Sequence, residues 1–243
     1  MKLVIGGSTG VLGAELIRQA LSHPWITTIV AISRHETPIP PESIGNETKL
    51  KLFVCNNFES YPDNVKKEFG TADACIWTIA VTPTKMKSIP WSETVKICGD
   101  YPLAAIKALA GPSRYRRENG PGPSRFIYIS GQFAPHGQSQ IVKSPDGHSL
   151  ADLAVLEGEL ETQLHAFANK SNGAVVPCIA KPGIIVNLGR EPQVAPGSPK
   201  IELRDIAGAL LDQAVHGLEN NTLSNDDMVR IGRSALSKQY EIF

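Results

Sequence analysis

Seven residues near the start of the chain restrict its fold more than any other feature. Gly7-Ser8-Thr9-Gly10-Val11-Leu12-Gly13 spaces three glycines as G-x-x-G-x-x-G. The motif stands between an apolar run, Leu3-Val4-Ile5, and residues 11–22, where Leu12, Leu16, Ala20 and Leu21 recur at helical spacing. Glycines at a strand-to-helix junction let the backbone turn tightly and approach a diphosphate. That group then sits on the exposed N–H groups and positive end of the helix. A glycine triplet alone is a weak signal, and its position between strand and helix makes it specific.

The alternation continues along the chain. Ile29-Val30-Ala31-Ile32, Leu50–Val54, Ala74–Ile79, Phe126–Ile129 and Val175–Ala180 are apolar runs of strand length, and Met228–Ile231 is expected as a last short strand. Helical spacing falls between them. It is weak over 61–69, runs from about Ser92 to Ala110, and returns over 204–216. It is clearest over 150–168, where Leu153, Leu156, Leu160, Leu164 and Phe167 form one stripe. Short apolar strands alternating with helices predict an α/β fold, a doubly wound parallel sheet of the Rossmann type covered on both faces. The 243 residues fit one such domain, with about 184–243 as a smaller C-terminal, substrate-covering portion.

Composition narrows the partners. Lys and Arg number 24 against 24 Asp and Glu, which leaves no electrostatic footprint for nucleic acid or an anionic membrane. No apolar run approaches the roughly 18–20 residues of a membrane span. The chain enters its first strand at once, with no room for a signal or transit peptide, so a cytoplasmic location is expected. Cys55, Cys75, Cys98 and Cys178 contain no C-x-x-C pair and the 6 His show no ligand spacing. Four reduced, buried thiols and no metal site are expected.

Ser33 and Arg34 follow the second strand, where NAD-preferring members of such folds place an acidic residue for the ribose hydroxyls. A hydroxyl and a guanidinium suit a 2′-phosphate instead, so NADP(H) is the expected cofactor. Of two long loops, 111–125 carries Arg114, Arg116 and Arg117 and reads as a solvated connection. Gln132–Ser149 reads as a substrate-covering lid.

With these residues in place the chain resembles the short-chain dehydrogenase/reductase superfamily. It is most similar to the small atypical branch that contains the Tat-interacting oxidoreductase-like proteins and a fungal family of mitochondrial outer-membrane proteins. The resemblance implies that Gly7, Ser8, Thr9, Gly10, Val11, Leu12 and Gly13 hold the dinucleotide, with Ser33 and Arg34 at its basic site. Asn56 falls where relatives carry an Asp beside the adenine, and Ala80-Val81-Thr82 where they have a small-Thr-Thr segment lining the cofactor. Asp100-Tyr101 matches a similar pair in a helix. Ser130 takes the position of the catalytic serine, and Lys181-Pro182-Gly183 resembles the Arg-Pro-Gly beside the nicotinamide.

The departure is in the catalytic helix. The superfamily carries Tyr-x-x-x-Lys followed by Gly-Glu-hydrophobic-Glu; Gly158-Glu159-Leu160-Glu161 matches that tail, which puts Leu153 at the Tyr position and Glu157 at the Lys position. Leu153 cannot move a proton, and Glu157 would oppose a tyrosinate rather than stabilise it. The resemblance turns this helix face to the nicotinamide, so Leu153 and Glu157 are expected to line the pocket, with Glu157 accepting hydrogen bonds from the ribose. Tyr128 shares a strand face with Ser130 and is either a core aromatic or a pocket wall. His136 and His148, in the long loop, are the expected acid/base candidates because imidazole titrates near neutrality; Lys143 and Asp146 lie beside them. Ser130 can orient a carbonyl.

Three functions follow. One is an NADP(H)-dependent oxidoreductase with noncanonical acid catalysis on a small, apolar substrate. A second is a redox-neutral isomerase, dehydratase or cyclase on the same scaffold. A third is a non-catalytic NADP(H)-binding regulator. The expected partner is a small molecule and not a nucleic acid, and a homodimer is an assembly such folds commonly adopt.

Overall fold

A computed structural model describes residues 1–41, 45–111, 122–135, 149–187 and 197–240. Its strands are β1 (Lys2–Gly6), β2 (Thr28–Ser33), β3 (Leu50–Val54), β4 (Ala74–Trp77), β5 (Ser124–Ile129), β6 (Val175–Ala180), β7 (Ile184–Val186), β8 (Lys200–Glu202) and β9 (Thr222–Leu223). Seven of them form one sheet in the order β3-β2-β1-β4-β5-β6-β9, and every pairing is parallel. β7 and β8 make a separate two-stranded parallel ladder. The expected Rossmann-type, doubly wound sheet is therefore present. Its strand order reverses direction at β1 and β4, and such a switch point opens a crevice at the carboxyl ends of the strands.

The helices are α1 (Val11–Ser22), α2 (Asp63–Gly70), α3 (Pro83–Met86), α4 (Trp91–Val95), α5 (Tyr101–Ala110), α6 (Leu150–Lys170), α7 (Leu203–His216) and α8 (Asn225–Tyr240). Alternation along β1 divides the core in two. Leu3 and Ile5 face α1, α7 and α8, while Val4 faces α2, α5 and α6. A strand buried on both faces reads as a continuous apolar run, which is why the strands were legible. From residue 184 onward, α7 packs in the main core and β9 completes the sheet at its β6 edge.

The helix expected from about Ser92 to Ala110 is continuous but not uniform: α4 and α5 are joined by one turn of π-helix over Lys96–Asp100. Met228–Ile231 is not a strand. It lies inside α8, whose start is fixed by a reciprocal cap in which the Asp227 N–H donates to Ser224 Oγ (3.2 Å) and the Ser224 N–H donates to Asp227 Oδ2 (2.9 Å). Met228 and Ile231 sit three apart and are both buried, spacing that suits a helix. The seventh strand is Thr222-Leu223, two residues that carry no readable period.

α7 and α8 approach backbone to backbone. A Cβ on Gly232 would lie 1.9 Å from the Asp205 carbonyl oxygen. Gly232→Ala is expected to force the helices apart and cost about 1–3 kcal/mol, the usual cost of overpacking. A lowered urea midpoint at constant m would show this; an unchanged midpoint would mean the helices separate freely.

Candidate active site

The glycine loop leaves β1 and enters α1 through a narrow space. Gly7 has φ of +91°, in the region that favours glycine. Its N–H donates to the Ile32 carbonyl (2.9 Å), and its own carbonyl accepts the Gly10 N–H (2.9 Å). A Cβ on Gly13 would sit 2.2 Å from that same Gly7 oxygen, so glycine alone lets α1 begin this close to the strand. Thr78 closes the other side, its hydroxyl donating to the Gly6 carbonyl (2.8 Å). Gly10 caps α1 with no side-chain bond, and the first turn carries no acidic residue. The helix's positive end and orphan N–H groups therefore face the crevice. The cradle fits a diphosphate, because a larger residue at Gly7 or Gly13 would fill or distort it. Thr9, Gly10 and Val11 are exposed along the rim, while Leu12 is buried in the core beneath.

Ser8 and Ser33 are buried and face inward. The Ser8 and Thr37 hydroxyls share a 2.6 Å hydrogen bond, Thr37 lies 3.3 Å from Ser33 Oγ, and Ser33 donates to the His35 carbonyl. These three hydroxyls brace the turn after β2, so the group offered at that strand end is Arg34, which is exposed. Arg34 lies within electrostatic reach of the Tyr101 hydroxyl. Asn56, just past β3, and Ala80 and Thr82, just past β4, are exposed at the same carboxyl end of the sheet. Pro182 is buried, and Gly183 is pressed against the approach to β8, where a Cβ would meet the Pro199 oxygen at 2.2 Å.

Beyond β5 and β6 lies a buried charged group. Ser130 Oγ donates to Glu161 Oε1 at 2.6 Å. Lys181 Nζ sits 2.9 Å from Glu161 Oε2 and donates to the Ala134 carbonyl at 2.8 Å. Glu157 is one turn earlier on α6, and its carboxylate fills the space above Gly131, where a Cβ would lie 2.3 Å from Oε2. Burial pushes the Glu157 carboxyl up to about 7. The Glu161 charge adds to the rise, while the Gly131 N–H and Lys181 oppose it. Leu153 is buried in an apolar cluster with Val81, Met86, Ile97 and Cys98. The π-turn carries Ile97 and Cys98 into that cluster, and Cys98 Sγ accepts the Val81 N–H at 3.4 Å. A π-turn in such a place is a frequent mark of functional sites.

Tyr128 is 1 % exposed and packed with the α2, α5 and α6 layer, so it is a core aromatic whose hydroxyl is held neutral by burial. All four cysteines are buried thiols. His136, Lys143, Asp146 and His148 lie outside the described residues, as does most of Gln132–Ser149. Among the described residues no group of three or more His, Cys, Asp or Glu could hold a metal ion, and no helix is long and apolar enough to cross a membrane. The Glu161–Lys181 pair and the three braced hydroxyls were not legible in the sequence. The ion pair joins a helix to the end of a strand, and Ser8 reaches Thr37 from another loop, contacts that no periodicity reports.

No family model matches the chain, and no curated protein is similar to it in sequence. Solved structures do share its fold. MoeE5, in complex with UDP-glucuronic acid and NAD, superposes with a TM-score of 0.66 at 13 % identity over 92 % of this chain and 76 % of that one. The dTDP-glucose 4,6-dehydratase DesIV of Streptomyces venezuelae, with NAD bound, gives 0.62 at 12 % identity over 98 % and 81 %. Vestitone reductase of alfalfa (Medicago sativa) gives 0.60 at 18 % identity over 92 % and 74 %.

Proposed function

We propose that the chain is an NADP(H)-binding enzyme of the short-chain dehydrogenase/reductase type, of the atypical kind that lacks the Tyr-x-x-x-Lys pair, acting on a small, apolar substrate. The observation that carries this reading is the glycine cradle at the β1/β4 switch point, where Gly13 meets Gly7 too closely for any side chain. The same fold holds NAD in MoeE5 and DesIV. Bound in the crevice, the dinucleotide would supply or accept a hydride.

The chain's own residues have separable tasks. The N–H groups at the start of α1 would hold the diphosphate. Arg34 would pair with a 2′-phosphate, and Asn56 would lie near the adenine. Ala80 and Thr82 would flank the dinucleotide past β4, and Pro182-Gly183 would border its nicotinamide end. Leu153, Val81 and Ile97 would give the substrate an apolar wall and exclude water from it.

A redox-neutral reaction, an isomerisation or dehydration, is the second reading. It is favoured by Leu153, which offers no proton where the superfamily has its tyrosine, and by the dehydratase DesIV, which shares the fold.

Arg34 is the simplest test of cofactor choice. A charge-assisted contact is worth about 1.5–3 kcal/mol, so Arg34→Ala should weaken NADPH binding by about ten- to a hundredfold and leave NADH binding unchanged. Fluorescence titration reads both. Equal affinity of the intact protein for NADPH and NADH would refute the preference.

A further inference from the structure

We propose that Glu157 is the catalytic acid/base of this site, replacing the absent tyrosine as the group that gives a proton to, or takes one from, the oxygen of the substrate. The inference rests on the dinucleotide-binding reading above and names the residue that reading leaves open. It gives Glu157 a different role from the sequence-based expectation that it accepts hydrogen bonds from the ribose.

The geometry separates two carboxyls one helical turn apart. Glu161 is committed: Lys181 pairs with one oxygen and Ser130 donates to the other. Among the described residues, Glu157 has no ion pair as close. It is 9 % exposed, it takes a single backbone N–H from Gly131, and it lies beside the charge of Glu161. Neighbouring carboxyls in unlike environments can differ in proton affinity, and here it is Glu157 whose affinity is raised. Among the described residues, the groups that face Glu157 are consistent with this. Tyr128 and Cys98 are neutral at physiological pH, because burial raises both. Lys181 is the facing cation, and it is held by Glu161 and the Ala134 carbonyl. Burial lifts the Glu157 carboxyl to about 7, where a proton can move either way at neutral pH. Its position one turn from Leu153 sets it at the edge of the apolar cluster.

In the reducing direction the substrate's carbonyl carbon gains a hydride, with oxidation of the dinucleotide. The carbonyl oxygen takes the Glu157 proton as the C=O π bond becomes a C–H and an O–H bond. The glutamate is left ionised and regains its proton from water. The protonated form is the active one, so the rate should fall as pH rises through about 7.

The test has two readouts. First, the infrared spectrum of the cofactor-free protein should contain a protonated-carboxyl band that disappears as pH rises through about 7 and is missing in Glu157→Gln. Second, wild type, Glu157→Gln and Glu157→Asp are titrated with NADPH and then mixed with phenanthrene-9,10-dione, an activated apolar diketone, in single turnover. NADPH binding by both wild type and Glu157→Gln establishes that the premise holds and that the variant is folded. On that footing, Glu157→Gln should be slower by about a hundredfold or more and lose its pH dependence, while Glu157→Asp regains part of both. Equal rates and equal pH profiles in wild type and Glu157→Gln overturn the assignment, as does a wild type that binds NADPH but never oxidises it with the dione. Absence of the carboxyl band also overturns it. Failure of the wild type to bind NADPH at all instead defeats the function proposed above, and this assignment with it.

Discussion

Gly13→Ala is expected to abolish dinucleotide binding at concentrations that saturate the wild type, a loss of about a hundredfold or more in affinity. The added methyl would lie 2.2 Å from the Gly7 carbonyl oxygen and 2.9 Å from Ser8 Cα, both backbone atoms that cannot swing away. Either α1 or the glycine turn must then shift. Overpacking of this kind costs about 1–3 kcal/mol, and the displaced N–H groups lose charge-assisted bonds to the diphosphate worth about 1.5–3 kcal/mol each. Gly10→Ala provides the contrast. Its Cβ would meet the Gly7 oxygen at 3.2 Å, a tight contact that small movements relieve, so its loss should be several times smaller. NADPH fluorescence titration of both variants checks the order, and equal losses would show that the close approach at Gly13 is not what shapes the cradle.

Lys181→Met is expected to destabilise the fold by about 3–5 kcal/mol, the cost of leaving a buried charge without its partner. Lys181 and Glu161 are each less than a tenth exposed, and they meet at 2.9 Å. Removing the ammonium takes away the cation that meets the buried Glu161 carboxylate at 2.9 Å. The Ala134 carbonyl also loses its donor. Replacing both partners, as in Glu161→Leu with Lys181→Met, should recover most of that stability, since an apolar pair of similar volume often does as well as a buried ion pair. Urea denaturation measures both. A single variant as stable as the wild type would mean that water reaches the pair.

What was legible in the sequence, and what was not, follows from the range of each interaction. Strands buried on both faces announce themselves by composition, as Leu3-Val4-Ile5 and Val175–Ala180 do. The glycine loop announces itself by spacing and by its place between strand and helix. Met228–Ile231 misled because a short apolar run has no period of its own, and the deciding signal was the cap at Ser224 and Asp227 just before it. Ser33 looked like a ligand from its position in the chain, but its hydroxyl turns into the fold toward the His35 carbonyl and Thr37, which Ser8 meets from the glycine loop. Glu157 was visible as a departure from the Tyr-x-x-x-Lys pattern. Its chemistry was not, because the rise in its pKa comes from burial and from Glu161, set against the Gly131 N–H and Lys181, and burial and Lys181 depend on segments outside the helix.

The most direct measurement is a crystal structure of the protein grown with NADPH. The diphosphate should lie on the N–H groups between Gly7 and Gly13, with the 2′-phosphate at Arg34 and the nicotinamide facing Leu153 and the Glu157 carboxyl. A dinucleotide bound elsewhere on the surface, or a crevice at the β1/β4 switch point that takes none, would contradict the function proposed for this chain.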